Sequence, residues 1–328
     1  MRFLLSMVFI VISGLITYGQ TQNEITVSNV SDVTRLFVLE GHTDTVNSIA
    51  FSPDGSLLVS GSDDNTVRLW DIASRDELYT WDDAKDYVER VAFSPDGRLI
   101  ASGGQDDKVR IMEVESREVI QTIDEYDEQI RALTFSGDGN LLAIGGFKSS
   151  VFVWDIEANE LVNEIESPRL GVIWSVAFTP DNNLLAFGID GWIFVYHLDD
   201  DEIVYAIELD PSQRVNDLAF NSEGDRLISA VEYDGAVLVL EASNGEEILS
   251  IPERLGLGLT SVVFSHSEDM LIVGDGLSLR FYNYSSGEEI SFVRPESGSI
   301  RDVAIDPAGT LIAIGTAADK ISVYGLRE

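Results

Sequence analysis

The sequence has 328 residues, 45% of them hydrophobic, which is enough for one large all-β domain or two ordinary domains. It contains 57 acidic and 21 basic residues, and the net charge of −36 disfavours binding to nucleic acid, although this charge could also serve solubility alone. The chain has no cysteine, which excludes disulfides, thiolate metal sites and cysteine nucleophiles.

Residues 1–19 predict a signal peptide. Arg2 precedes an apolar stretch at 3–16, and Thr17 and Gly19 are small residues suited to a cleavage site before Gln20. The stretch is short for a membrane span, with an uncleaved anchor as the alternative, and no later segment reaches about 18 apolar residues. We therefore expect export to a secreted, periplasmic or envelope location, with no stable membrane span after cleavage. Cleavage would remove one basic charge, so that −36 becomes −37.

After a lead-in segment at 20–32, a unit of about 42 residues repeats seven times over residues 33–328. Each unit has a large apolar residue before a turn, and the spacings between these residues are 42, 42, 43, 42, 44 and 41. The seven apolar residues are Phe51, Phe93, Phe135, Phe178, Phe220, Phe264 and Ile305. The turn that follows, SPDG in the first two units, suits a proline with preset φ and a glycine at positive φ.

Each unit reads as four short strands, which in the first unit are VNSIAF, LLVSGS, TVRLWDI and a weaker strand near ELYTW. A four-stranded sheet of this size cannot bury both of its faces alone. Seven such sheets stacked around an axis bury both faces of each sheet. The sequence therefore predicts an all-β protein, a seven-bladed β-propeller of four-stranded antiparallel blades.

Several motifs resemble those of the WD-repeat family of β-propellers: Gly-His at 41–42, the SPDG turns, SGSDDNTVRLWD at 60–71 and VFVWDI at 151–156. The resemblance covers about nine-tenths of the chain and is strongest in the first repeat. It implies an exported WD-repeat protein of bacterial type that is a monomeric propeller. It also implies that TRLFVLEG at 34–41 completes the last blade, because the last repeat ends on its third strand, KISVYG.

The family's structural tetrad, a hydrogen-bond chain from the inter-blade loop to the third strand, maps by this resemblance onto His42, Ser60, Asp64 and Trp70. The same serine, histidine and aspartate could be read as a hydrolytic triad. Against that reading, the serine lies mid-strand, with no nucleophile elbow and no recognisable oxyanion loop. The second repeat keeps Ser102 and Asp106 but has Met112 in place of tryptophan.

No cofactor and no metal are expected. The two other histidines, His197 and His266, have no partner histidine at metal-ligand spacing. Acidic runs at 124–127 and 199–202 could hold Ca²⁺ weakly, but neither has the glycine-centred spacing of a Ca²⁺ loop, and solvated loops are the favoured interpretation.

The residues four positions before the large apolar residues begin the inner strands at the mouth of the central channel. We call these seven residues the mouth column: Asn47, Glu89, Arg131, Trp174, Asn216, Thr260 and Arg301. Two positions earlier stand Tyr87 and Arg214, and the second-to-third-strand turns add Phe147 and Tyr233 on the same rim. In WD-repeat proteins such positions contact partners, so the resemblance implies a partner-binding site at Tyr87, Glu89, Arg131, Phe147, Trp174, Arg214, Tyr233 and Arg301. Some of these aromatic residues could instead pack between blades.

The expected function is a non-catalytic scaffold that binds a protein or peptide at the channel mouth, since aromatic residues and arginine dominate binding hot spots. Three arginines at one mouth favour either a ligand that bears a carboxylate or a carboxylate-rich, acidic peptide. Two alternatives stay open. The first is a propeller enzyme, such as a lactonase or hydrolase, with its site at the same mouth, and the second is a purely architectural envelope protein.

Overall fold

The computed structural model describes residues 23–233, 235–252 and 258–327. The predicted signal peptide at 1–19 lies outside these residues. Seven four-stranded antiparallel sheets form the fold, and each sheet is one blade of a closed ring. The prediction of a seven-bladed β-propeller is confirmed.

The strands follow the repeats closely. Blade 1 has β2 (Val46–Phe51), β3 (Leu57–Ser62), β4 (Val67–Asp71) and β5 (Glu77–Trp81). Blade 2 has β6 (Val88–Phe93), β7 (Leu99–Gly104), β8 (Val109–Glu113) and β9 (Val119–Ile123). Blade 3 has β10 (Ile130–Phe135), β11 (Leu141–Gly146), β12 (Ser150–Asp155) and β13 (Glu160–Glu166). Blade 4 has β14 (Ile173–Phe178), β15 (Leu184–Ile189), β16 (Trp192–His197) and β17 (Glu202–Glu208).

The remaining blades have the same plan. Blade 5 has β18 (Val215–Phe220), β19 (Arg226–Val231), β20 (Ala236–Glu241) and β21 (Glu247–Pro252). Blade 6 has β22 (Ser261–Phe264), β23 (Met270–Gly274), β24 (Leu279–Asn283) and β25 (Glu289–Val293). Blade 7 has β26 (Ile300–Ile305), β27 (Leu311–Thr316), β28 (Lys320–Leu326) and, as its outer strand, β1 (Val33–Glu40).

The ring is closed by the pairing of the first strand with the last. β1 runs antiparallel to β28, from Val33 opposite Leu326 to Glu40 opposite Lys320. Both ends of the described chain therefore lie in one blade, which confirms the predicted closure.

The turn after each inner strand is held by its own side chains. In blade 1 the Ser52 hydroxyl donates to Asp54 at 2.6 Å and accepts the Leu57 N–H at 2.9 Å. Gly55 completes the turn at φ +72°, a conformation that glycine adopts at no steric cost. The SPDG pattern thus specifies the tight connection between the first two strands of the blade.

The hydrophobic core is divided among the interfaces between blades. The cluster between blades 1 and 2, for example, joins Val59 and Leu69 to Val91 and Ile100. Corresponding clusters lie between each other pair of neighbouring blades, so each sheet buries both faces against its neighbours.

The lead-in segment is part of this core. Ile25 is 0% exposed and packs with Val30 in the cluster between blades 6 and 7. Its backbone N–H donates to the Gly309 carbonyl at 2.8 Å, and a short 3₁₀ turn at Val30–Asp32 leads into β1. The described part of the lead-in therefore anchors the strand that closes the ring.

Candidate functional site

A β-bulge near the start of the inner strand places most of the mouth column. In six blades the pairing of the inner strand with its neighbour skips one residue at this point. The skipped residues are Asn47, Glu89, Arg131, Trp174, Asn216 and Arg301. A bulge leaves the extra residue outside the ladder and re-aims its side chain, which explains why these positions can vary freely in type.

The mouth column surrounds a single cavity of about 240 Å³, which we call the mouth cavity. All seven residues of the column line it, together with Arg90, Arg214 and Glu232. The repeat register therefore brings together side chains that lie roughly 40 residues apart in the sequence.

Arginine and aromatic side chains alternate along one side of the mouth. The Arg131 guanidinium lies 5.5 Å from the Phe147 ring and 5.9 Å from the Trp174 ring. The Arg214 guanidinium lies 4.6 Å from the Trp174 ring and 5.4 Å from the Tyr233 ring. We call this set the stacked row; it runs from blade 3 to blade 5, and each contact is a favourable cation–π interaction.

The stacked row is accessible at both ends. Phe147 is 43% exposed and Tyr233 is 49% exposed, whereas the core aromatic residues between blades are enclosed. In the middle, the Trp174 indole N–H donates to Asp190 at 2.7 Å, which fixes the ring orientation. The row thus presents apolar surface and guanidinium groups side by side on a rigid support.

Two mouth arginines face carboxylates of the ring itself. Arg131 Nη1 lies 2.7 Å from Glu89 Oε1, which also accepts a hydrogen bond from the Gln105 amide at 2.8 Å. Arg214 Nη1 lies 4.0 Å from Glu232 Oε2. Glu232 was not among the predicted site residues, although it lies 12 residues after Phe220, at the repeat position that Asp63 and Asp190 occupy in blades 1 and 4.

The structure brings most of the predicted site residues together. Glu89, Arg131, Trp174, Arg214 and Arg301 line the mouth cavity, and Phe147 and Tyr233 join it through the stacked row. The eighth predicted residue, Tyr87, is 41% exposed and does not line the cavity.

A smaller cavity of about 130 Å³ lies deeper in the channel and contains residues that the sequence reasoning missed. Asp217 accepts the Val262 N–H and Asp302 accepts the Ile49 N–H, both at 2.9 Å, so each carboxylate joins one blade to the next. Burial, followed by the charge of Asp302, raises the pKa of Asp217 to about 6. Burial also raises the pKa of Asp302, which the charge of Arg90 opposes. The channel below the mouth is therefore lined by two carboxylates and one guanidinium.

His42, Ser60, Asp64 and Trp70 form one hydrogen-bonded chain in blade 1. The Trp70 indole N–H donates to Ser60 Oγ at 2.8 Å, and Ser60 Oγ lies 2.7 Å from His42 Nε2. His42 Nδ1 lies 2.9 Å from Asp64 Oδ2. Because an indole nitrogen can only donate, the Ser60 hydroxyl proton is directed to His42 Nε2, and His42 Nδ1–H donates to Asp64.

The order of these bonds is that of a hydrolytic triad, but the surroundings differ from those of a triad. Ser60 is 0% exposed, and its oxygen is occupied by the Trp70 indole. Burial favours a higher pKa for Asp64, but hydrogen bonds from His42 and Thr66 outweigh it and hold the pKa of that carboxyl well below its usual range. The arrangement suits a buried support that links the loop before β2 to β3 and β4.

Blade 2 has a partial version of this chain. Asp106 pairs with Arg110 at 2.7 Å and accepts the Lys85 N–H at 2.9 Å, so its charged partner in blade 2 is an arginine. Ser102 makes no side-chain hydrogen bond with the part of the chain that the structure describes.

The acidic runs differ from the expected solvated loops in one respect. Tyr126, inside the run at 124–127, is 0% exposed and packs between blades 2 and 3. Among the residues with described positions, no three His, Cys, Asp or Glu side chains are grouped so that they could hold a metal ion. No helix within the described ranges is long and apolar enough to cross a membrane.

The fold and the buried hydrogen-bond chain define a WD-repeat-type β-propeller. The family model described as the IFT122 first beta-propeller matches residues 13–213, more than half of the sequence. The chain therefore belongs to this β-propeller family. No curated protein matches the sequence.

Proposed function

We propose that this protein is an exported, non-catalytic scaffold that binds a protein or peptide partner at the mouth cavity. A WD-repeat-type propeller suits protein interaction in general. The observation that carries the proposal is the stacked row, in which five side chains from three blades present exposed aromatic and guanidinium surface beside one cavity. Trp, Tyr and Arg are the residue types that most often dominate binding energy.

The ion pairs at the mouth also support binding over catalysis. Glu89 is 8% exposed and is engaged by both Arg131 and Gln105, so it is poorly placed to act as a general acid or base. Export is supported by the signal-peptide pattern at 1–19.

Substitution of Trp174 tests the binding site. Trp174→Ala removes the centre of the stacked row, and loss of such a contact typically costs about 2 kcal/mol or more, roughly thirtyfold in affinity. The mature protein and this variant are compared for partner capture from the exported fraction of the native cell, followed by titration of the captured partner.

Phe292→Ala is a matched control. Phe292 is also an exposed aromatic residue beside two arginines, Arg280 and Arg294, but it lies on the outer strand of blade 6. We expect the control to keep full binding and Trp174→Ala to lose it, with both melting temperatures near that of the wild type. Equal affinity of all three proteins for every captured partner would contradict binding at the mouth.

A further inference from the structure

The guanidinium groups of the mouth cavity have more hydrogen-bond donors than the ring uses. Arg301 is exposed and makes no ion pair or side-chain hydrogen bond with the described part of the chain. Arg214 reaches its nearest described carboxylate only at 4.0 Å. Arg131 pairs with Glu89 through Nη1, while its buried Nε–H has no hydrogen-bond partner within the described residues. Each guanidinium carries five donors, so an acceptor from outside would satisfy groups that the fold leaves open.

The charges change sign along the channel axis. The mouth cavity is lined by four guanidinium groups and the two carboxylates of Glu89 and Glu232, whereas in the smaller cavity beneath it Asp217 and Asp302 outnumber the single guanidinium of Arg90. An anion that enters is therefore attracted at the level of the arginines and repelled further down. This arrangement stops an anionic group at the mouth.

The mouth cavity is also small. Its volume of about 240 Å³ is below the roughly 300–1,000 Å³ typical of pockets for drug-sized ligands. It is suited to one side chain or one chain end rather than to a folded segment. The rest of a bound peptide would lie across the rim.

The two ends of the stacked row offer exposed apolar surface. Phe147 is 43% exposed and Tyr233 is 49% exposed. The whole chain carries a net charge of −36, so a partner with many carboxylates would be repelled at long range. Apolar residues next to a single carboxylate fit this surface better than an acidic tract does.

We infer that the mouth cavity binds one carboxylate of the partner, held by Arg131, Arg214 and Arg301, with apolar neighbours of that carboxylate packed on Phe147 and Tyr233. This inference rests on the proposed function and specifies its ligand. The carboxylate belongs either to an Asp or Glu side chain or to a chain end, and both have the same chemistry at the arginines.

Small probes separate these sources. N-acetylglutamate α-amide presents a side-chain carboxylate, and N-acetyl-alanyl-alanine presents a terminal one; N-acetylglutamine amide and N-acetyl-alanyl-alanine amide are the neutral counterparts. Binding is followed by NMR through the indole N–H resonance of Trp174, because this side chain stacks on Arg214. The resonance is assigned by its loss in Trp174→Phe. We expect at least one carboxylate probe to shift this resonance, with a dissociation constant of about 1 mM, and neither amide to shift it.

The arginines are tested with Arg214→Gln combined with Arg301→Gln. Among the described residues neither side chain has a carboxylate closer than 4.0 Å, so their removal leaves no buried carboxylate unpaired, as Arg131 substitution would for Glu89. Arg98→Gln is the control, because Arg98 is 73% exposed and lies at the turn between β6 and β7, away from the mouth cavity. We expect affinity for the carboxylate probe to fall at least tenfold in the double variant and to stay unchanged in the control.

Several results would overturn the inference. These are an equal response to a carboxylate and its amide, no response to any carboxylate probe, unchanged affinity in the double variant, or tighter binding of inorganic phosphate than of either carboxylate. If carboxylates fail while Trp174→Ala still abolishes partner capture, the proposed function holds and only the ligand assignment is wrong.

Discussion

Three serines at one position of the repeat provide a direct test of the buried hydrogen-bond chain in blade 1. Ser60, Ser102 and Ser229 each lie nine residues after the large apolar residue of their repeat, and all three are buried. Ser60 is bonded to both Trp70 and His42, whereas the Ser229 hydroxyl is buried with no hydrogen-bond partner in the described part of the chain. Replacement of each serine by alanine should therefore have a different effect.

Ser60→Ala leaves two buried polar atoms, Trp70 Nε1–H and His42 Nε2, without their partner. Each such loss costs about 1–3 kcal/mol, and we expect a decrease of about 2–4 kcal/mol in the free energy of unfolding. With an unfolding entropy of about 2.1 cal/mol/K per residue over roughly 300 residues, the melting temperature should fall by about 3–6 °C.

The other two serines serve as matched comparisons. Ser102→Ala should change the free energy of unfolding by less than about 0.5 kcal/mol, and Ser229→Ala should raise it by about 1 kcal/mol because an unsatisfied buried hydroxyl is removed. Denaturant unfolding of the four proteins measures these differences. Equal changes in all three variants would refute the assigned hydrogen-bond roles, and an esterase activity that only Ser60→Ala abolishes would show that Ser60 is catalytic.

Three further predictions follow from the channel and the N-terminus. The pKa of Asp217 is raised to about 6 and that of Asp302 is also raised, so the folded state binds protons more tightly than the unfolded chain does. The contribution of these protonated carboxyl groups to the free energy of unfolding is full below the unfolded pKa of about 3.9 and is lost as the pH rises through about 6. Asp217→Asn should flatten the dependence of the denaturation midpoint on pH between about 4 and 6, and an unchanged slope there would contradict the assigned titration. Deletion of residues 20–32 removes Ile25 and Val30 from the core and should lower the free energy of unfolding by about 3–6 kcal/mol. Deletion of residues 20–40 also exposes the edge of β28 and should cause aggregation, which light scattering measures. The mature protein should begin at or near Gln20, and N-terminal sequencing that finds Met1 would exclude cleavage.

The fold could be predicted from the sequence because its signals recur in register. Phe51 and its six counterparts fix the start of every first turn, so degenerate repeats are recognised by spacing even where Trp70 has no equivalent. The completion of blade 7 by β1 was implied by the resemblance to WD-repeat proteins, and the pairing of β1 with β28 confirms it.

The details of the mouth were harder to predict. The position of the mouth column follows from the register of the repeats. The bulge at Arg131 and Trp174 depends on pairing with the neighbouring strand, and this pairing cannot be recognised in a single sequence. Asp217 and Asp302 were missed because acids within strands resemble ordinary solvent-facing residues until the ring encloses them. The burial of Tyr126 was not predicted, because its acidic neighbours in the sequence indicated a solvated loop.

The pairing of β1 with β28 also determines when folding can finish. Thr34 and Gly325 are partners across roughly 290 residues of chain, so this contact has one of the largest sequence separations that the molecule offers. Synthesis delivers β1 before β28, and until β28 follows, β1 has an open edge that is exposed to proteases and to other chains. A chain that stops short of β28 cannot cover that edge, so completion of this blade depends on the synthesis of all seven repeats.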